Sequence, residues 1–136
     1  MADQNKHFAV EIICPDRVFL KGQATMVELN TVEGELGFYR NHIPTTCVLE
    51  PGIVTLHDTE GQREAAVHSG FVEILQDKVT ILAEVAEWPE EIDSERALAA
   101  KKRAEERLKH STSEKDMMLA EASLKRALVR LDLVKQ

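Results

Sequence analysis

Apolar residues recur with a period of two up to about residue 85 and with spacings of three and four after residue 94. Phe8, Val10 and Ile12 fall on one side of a first strand, which Pro15 and Asp16 end. Val18 and Leu20 alternate in a second short strand before Lys21 and Gly22, and residues 24–30 form a third, more continuous apolar run. Residues 33–44 hold Gly34 and Gly37, three apart, and close on Pro44, which predicts a shaped loop around a short strand. Residues 45–49 read as a strand, and Glu50, Pro51 and Gly52 as a turn. Residues 53–56 lead into a hairpin loop at Asp58, Thr59, Glu60 and Gly61, where glycine is available for positive φ. Strands at 63–68, 71–75 and 79–85 follow, separated by Ser69 and Gly70 and by Gln76 and Asp77. Eight to ten short strands with turns between them and no helix-length interruption predict an antiparallel sandwich or flattened barrel rather than an α/β fold.

The pattern changes at Trp88 and Pro89. All six glycines, all four prolines and all six aromatic residues lie at or before Pro89, so nothing beyond it breaks a helix. In residues 94–110, Ala97, Ala100, Ala104 and Leu108 make a narrow stripe of small residues. Asp93 or Ser94 can accept the free first-turn N–H groups, and Glu95 suits the first turn. Residues 109–113 form a polar turn, with basic residues at the helix end and a new cap after it. In residues 114–134, Met117, Ala120, Leu124, Ala127, Leu128 and Leu131 make a wider stripe. Two such helices joined by a short loop fold as an antiparallel hairpin, alanines against leucines. Because buried apolar area contributes about 25 cal/mol per Å2, an alanine stripe holds its partner weakly, and the hairpin is expected to be marginal whether shut or against the β body. A switch requires an element of that kind. The fold class is thus α+β, mainly β: a β domain over residues 1–88 and a helical hairpin over 89–136.

Composition narrows the functional classes. A chain of 136 residues, 43% hydrophobic, fits one domain or one domain with an appendage. No apolar run approaches the roughly 20 residues that span a bilayer. The opening residues, MADQNK, hold no apolar stretch and are not expected to be a secretory signal. Cys14 and Cys47, each in a strand-like run, read as buried apolar thiols of a reduced compartment. Residues 1–88 carry 6 Lys and Arg against 14 Asp and Glu, a net of −8, and residues 89–136 carry 11 against 10, a net of +1. An acidic body argues against nucleic acid and against an anionic membrane surface, and leaves open a protein partner with a basic or polar rim.

Catalytic patterns are missing. No Gly-x-Ser-x-Gly, HExxH or P-loop sequence occurs, and His7, His42, His57, His68 and His110 are scattered without metal-ligand spacing, which reads as surface or strand histidines. Glu33 and Glu35 have the look of paired carboxylates, but a solvated loop accounts for them, and the chain reads as a non-enzyme. The arginines carry more information. Arg126 and Arg130, four apart, share a helix face roughly opposite Leu124, Leu128 and Leu131, and Arg96 and Arg103 share nearly one face of the first helix. In a shut hairpin these guanidiniums can converge on phosphate oxygens; solvated helix faces with ion pairs are the competing account.

Six collinear motifs bear on that choice. Glu33-Gly-Glu-Leu-Gly37 with His42-x-Pro44, Pro51-Gly52, Ser69-Gly-Phe-Val-Glu73, Val79-Thr-Ile-Leu-Ala83 and Ile92-Asp-x-x-Arg-Ala97 resemble the epsilon subunit of bacterial F-type ATP synthase, over about residues 10–108. The resemblance implies a ten-stranded sandwich followed by a two-helix hairpin. It implies a non-catalytic central-stalk rotor subunit, peripheral on the cytoplasmic face of the membrane, that couples ion-driven rotation to the catalytic head. The β domain would contact the gamma subunit and the c-ring, with Glu33, Glu35 and His42 facing the ring. The hairpin, strung out over some 40 helical residues, or about 60 Å, would climb toward the alpha and beta subunits and block ATP hydrolysis.

In some such proteins the folded hairpin takes ATP as a regulatory ligand, with no cofactor required. The resemblance carries that site onto Ile92, Asp93 and Ala97 around the adenine, onto Arg103, Arg126 and Arg130 at the phosphates, and onto Glu87 as a polar neighbour. Arg96 either joins them or pairs with Asp93 or another carboxylate. Two features depart from the pattern: residues 38–41 and 45–47 alter the loop facing the ring, and Glu90 and Glu91 add negative charge beside the nucleotide site. The alternative is a stand-alone ATP-sensing or protein-binding module.

Overall fold

The computed structural model describes residues 6–135. It divides into two compact units, Met1–Ala86 and Glu87–Gln136.

Among its described residues the first unit is built from eight strands: β1 (Phe8–Cys14), β2 (Arg17–Ala24), β3 (Met26–Thr31), β4 (Gly34–Tyr39), β5 (Thr45–Leu49), β6 (Gly52–Asp58), β7 (Gly61–Ile74) and β8 (Lys78–Glu87). The hydrogen-bonded order is β2-β1-β8-β7-β5-β3-β4, with β6 bonded to both β3 and β7. The ring β3-β6-β7-β5 makes this a flattened barrel. Its inward residues are branched and aliphatic, with Ile12, Val27, Val72, Ile74 and Ile81 fully buried. One pair departs from the antiparallel expectation: β1 and β8 run parallel, Ile12 beside Ile81. The first and last strands of the unit are not joined by a hairpin, so nothing in the connection forces them antiparallel.

Eight strands rather than ten follow from how the chain bends. Ser69 and Gly70 read as a turn, but β7 continues through them. Ser69 has φ 60° and Gly70 φ 139°, which kinks the strand without reversing it. Before the kink β7 pairs with β6, from Gly61 opposite Asp58 to Val67 opposite Gly52. After it, β7 pairs with β5, from Gly70 opposite Leu49 to Ile74 opposite Thr45. Four successive residues, Ala65, Ala66, Val67 and His68, are buried where the strand passes between layers, so both faces are covered and alternation is lost. Gly70 fits because a Cβ there would lie 2.0 Å from the Leu82 carbonyl oxygen.

The second strand also differs from its expected pattern. Ile12 pairs with Leu20 and Ile13 with Val18, leaving Phe19 as the extra residue of a bulge. The bulge turns Phe19 into the core at 8% exposure and Val18 outward at 61%. Phe19 also lies under the Arg17 guanidinium, 5.0 Å from ring centre, while Arg17 Nη2 donates to the Ala86 carbonyl at 3.1 Å. Cys14 is buried and Cys47 only half-buried; burial raises both thiols above their ordinary pKa.

The second unit opens with a single 3-10 turn, Pro89–Glu91, followed by α1 (Ser94–Lys109) and α2 (Glu114–Lys135). Pro89 suits the first position, where no N–H is required. Glu91 Oε1 accepts the Trp88 N–H at 2.8 Å and the Glu91 N–H returns to the Trp88 carbonyl at 3.0 Å. Asp93, not Ser94, caps α1: its Oδ1 accepts the Glu95 and Arg96 N–H groups, each at 3.1 Å. Ser113 caps α2, its Oγ accepting the Asp116 N–H at 3.1 Å. The fully buried residues of the two helices are Ala97, Ala104, Ala120, Ala127 and Leu133. Met117 and Leu128, expected in the apolar stripe, are instead exposed, and the face bearing Arg126 and Arg130 is half-covered. The helix is rotated so that Ala120, Ala127 and Leu133 face inward and Leu128 faces out. Among the described residues no helix is long and apolar enough to cross a membrane.

Candidate functional site

The helical unit carries a cleft of about 290 Å3 at the N-terminal end of α1. Its walls come from three places: Glu87, Glu91, Ile92 and Asp93 before the helix, Arg96, Ala97, Ala100 and Arg103 along one face of α1, and Arg130 from α2. The spacing 96, 100, 103 is one helical stripe, and the two alanines leave room between the arginines.

The charges in the cleft are not equivalent. Asp93 is committed to the helix cap and Glu91 to the Trp88 N–H. Arg130 donates from Nε to Glu87 Oε1 at 2.7 Å, both side chains about one-quarter exposed. The guanidiniums of Arg96 and Arg103 make no hydrogen bond or ion pair among the described residues. Two uncommitted guanidiniums along one side of α1 can hold an anion. Ile92 and Ala97 offer a small apolar wall for a flat group.

Six of the seven residues expected to meet a nucleotide line this cleft: Glu87, Ile92, Asp93, Ala97, Arg103 and Arg130. Arg126 does not. It sits one turn before Arg130, and its Nη2 donates to Ser123 Oγ on its own helix at 3.2 Å. Arg96, read as equivocal, is a wall residue without an ion pair to Asp93. Glu91, expected beside the site, lines it, and Ala100 was not foreseen there, although the 96-100-103 stripe contains its signal. Glu90 lies outside the lining residues.

On the β unit, Glu33 and Glu35 are exposed at and beside the turn between β3 and β4. Thr31 shapes that turn: its Oγ1 donates to the Gly34 carbonyl at 2.9 Å and accepts the Glu33 N–H at 3.1 Å, while Gly34 takes φ 117°. His42 is half-covered, its ring edge-on to the buried Phe38 at 4.8 Å, which leaves the neighbouring Ile43 exposed at 78%.

An apolar row, not foreseen in the sequence, crosses five strands on the outer face of the sheet. Val18 on β2 pairs with Ile13 on β1, Ile13 with Leu82 on β8, and Val48 on β5 with Phe71 on β7. The adjacency of β7 and β8 at Gly70 and Leu82 closes the row. Val18, Leu82, Phe71 and Val48 are all exposed. Glu11, Glu73 and Glu84 lie two residues along their strands from the row, on the same face. The described residues hold no group of three or more His, Cys, Asp or Glu side chains suited to a metal ion.

A strand-built unit with an outer apolar row, followed by a helix pair whose cleft sets three arginines among three carboxylates, defines a two-part protein of strands and then helices. Residues 7–89 match the family model described as the ATP synthase delta/epsilon chain, beta-sandwich domain, and residues 90–135 match the long alpha-helix domain of the same chain. The chain is 42% identical over 130 residues to the ATP synthase epsilon chain of Caldanaerobacter subterraneus subsp. tengcongensis, covering 95% of this chain and 94% of that one. It is 47% identical over 131 residues to the ATP synthase epsilon chain of Bacillus licheniformis, covering 96% and 99%. Its fold is like that of a chain in the cryo-EM structure of Euglena gracilis mitochondrial ATP synthase, with a TM-score of 0.83 at 24% identity, covering 98% of this chain and 86% of that one. The chain belongs to the ATP synthase delta/epsilon family, as a non-catalytic subunit of that kind.

Proposed function

We propose that this chain is a central-stalk rotor subunit of an F-type ATP synthase, peripheral on the cytoplasmic face of the membrane, whose β unit docks on the gamma subunit and the c-ring. The apolar row from Val18 to Val48 carries this reading. Exposed apolar area arranged in register over five strands, with carboxylates beside it, suits a protein partner with an apolar ridge and a basic rim. The exposed Glu33 and Glu35, on a turn stiffened by Thr31, are the ring-facing contacts, and His42 braces the following loop. Replacing Phe71 with Glu tests the docking. Gamma is expected to co-purify poorly with a subunit that still melts normally, and undiminished recovery of gamma overturns the assignment of the face.

The helical unit is the regulatory part. Its helices meet through alanines, which bury little area and open at small cost. Opened, it reaches the alpha and beta subunits and inhibits ATP hydrolysis. ATP is the ligand that suits the hairpin cleft: adenine against Ile92 and Ala97, phosphates on Arg96, Arg103 and Arg130. A ligand that binds only the shut form stabilises it by RT ln(1 + [L]/Kd). Removing residues 89–136 is expected to raise ATP hydrolysis by the assembled enzyme, and an unchanged rate refutes the inhibitory role. Calorimetry with ATP, wild type against the Arg126→Ala/Arg130→Ala double variant, tests the ligand; equal heats in the two would remove it.

A further inference from the structure

The ladder between β1 and β8 ends at Ile13 beside Leu82, yet β8 continues to Glu87. Backbone groups that β8 turns toward β1 beyond that point need other partners. Ala86, the last residue of the β unit and 3% exposed, finds them at the end of the β1–β2 hairpin, where Cys14 and Arg17 stand opposite one another. Arg17 Nη2 donates to the Ala86 carbonyl at 3.1 Å, and the Ala86 backbone is also hydrogen-bonded to the Cys14 thiol. The N–H and C=O of one strand residue point to the same side, so both are gripped from one direction. The bond from the guanidinium is charge-assisted, and the Phe19 ring, 5.0 Å below, steadies it.

One residue later the chain locks again. Pro89 fixes its own φ and holds Trp88 extended, with φ −76° and ψ 156°. Glu91 Oε1 accepts the Trp88 N–H, the Trp88 carbonyl accepts the Glu91 N–H, and the Pro89 carbonyl accepts the Ile92 N–H at 3.2 Å. Asp93 then caps α1. Residues 88–93 are thus tied to the first helix, and the two units divide at the step from Ala86 to Glu87. Glu87 alone lies between the two locked stretches, and its side chain is held by Arg130 at 2.7 Å.

We propose that Cys14 and Arg17 clamp the end of the β unit, so that the helical unit, when it opens, turns about Glu87 and leaves β8 undisturbed. Hinges are a few element-terminal residues that absorb the backbone change, and here the rigid stretches on either side leave room for one. The pivot also carries its own lock, since Arg130 holds Glu87 while the hairpin is shut. Arg17 is a positioning residue: it touches no ligand and acts through the Ala86 carbonyl. The inference rests on the reading that the helical unit moves.

Exchange of single amides in the isolated full chain tests the clamp, in wild type, Arg17→Ala and Arg17→Lys. With alanine, the amides of residues 84–87 are expected to exchange about tenfold faster, while those of residues 79–82, beside β1, keep their rates. Lysine, which can still donate to the carbonyl, should recover part of the protection. Trp88, the one tryptophan of the chain, gives a second reading: its fluorescence anisotropy should decay faster in Arg17→Ala. A uniform rise along β8 makes Arg17 an ordinary stabilising contact, and no rise at 84–87 leaves no clamp; either result overturns the proposal. So does exchange at Glu91 and Ile92 in wild type as fast as in an unstructured chain, which puts the pivot inside the turn. In the assembled enzyme, a joint that yields over several residues aims the helices less sharply, so Arg17→Ala should raise ATP hydrolysis toward the rate reached without residues 89–136. If that truncation raises hydrolysis and Arg17→Ala does not, the clamp fails alone; if neither does, the regulatory reading of the helical unit fails with it.

Discussion

Arg130 near the end of α2 is bonded through Nε to Oε1 of Glu87, 43 positions earlier, at 2.7 Å. The pair ties the far end of the hairpin to the residue that begins the helical unit. Both side chains are partly withdrawn from water, so losing one partner strands the other. Glu87→Gln and Arg130→Gln are each expected to destabilise the helical unit by about 1 kcal/mol, and the double variant by less than the sum. Exchange protection of α2 amides reads this directly; additive losses would mean that the pair contributes nothing.

The cleft ranks its arginines. Arg103 and Arg96 are uncommitted wall residues, while Arg126 is turned to Ser123. Arg103→Ala is therefore expected to weaken ATP binding by about tenfold, the loss of one charge-assisted bond, and Arg126→Ala by much less. Titration calorimetry on the single variants decides, and the reverse order would mean that the hairpin rearranges around its ligand.

Gly70 admits no side chain. Its φ of 139° and the 2.0 Å approach to the Leu82 carbonyl predict that Gly70→Ala costs about 3 kcal/mol through backbone strain and displacement of β8. Urea unfolding of the full chain measures it. A loss under half that size would show that β8 shifts freely.

Acid should weaken the β unit in a defined window. The Lys78 Nζ, 2.9 Å from Glu11, and the His7 ring, 3.1 Å from Asp58, hold those carboxyls below the usual carboxylate range. A lowered folded-state pKa stabilises above the unfolded value, about 4.3 for Glu, and the contribution fades as pH falls through the folded value. Glu11→Gln is expected to flatten stability against pH below about 4 and to leave the slope near neutrality unchanged, as denaturant titrations at several pH values will read.

The strand-rich unit, the change at Pro89 and the Asp93 cap were legible because each is local: alternation, a missing N–H and a short polar side chain act within a few residues. Phe19 was not, because a bulge is a mismatch between two strands, and neither strand alone records it. Ser69 and Gly70 have the residues of a turn, and only the partners on either side decide whether positive φ there reverses the chain or bends it. Leu128 and Leu133 satisfy similar spacings on α2, and which of them is buried depends on the rotation of the helix. Ile92, Asp93 and Ala97 were found from a contiguous motif. The meeting of Arg96, Arg103 and Arg130 needed two helices brought together, and the outer row needed five strands in register.

The unbroken course of β7 has a mechanical consequence. One strand is laced to β6 along its first half and to β5 along its second. A twisting load applied at Phe71 is then met by many ladder bonds sheared together instead of being peeled one at a time, and it passes from one layer to the other without crossing a loop. On the proposed rotor role, such a continuous beam would deliver the turn with less lag than two shorter strands hinged at a corner.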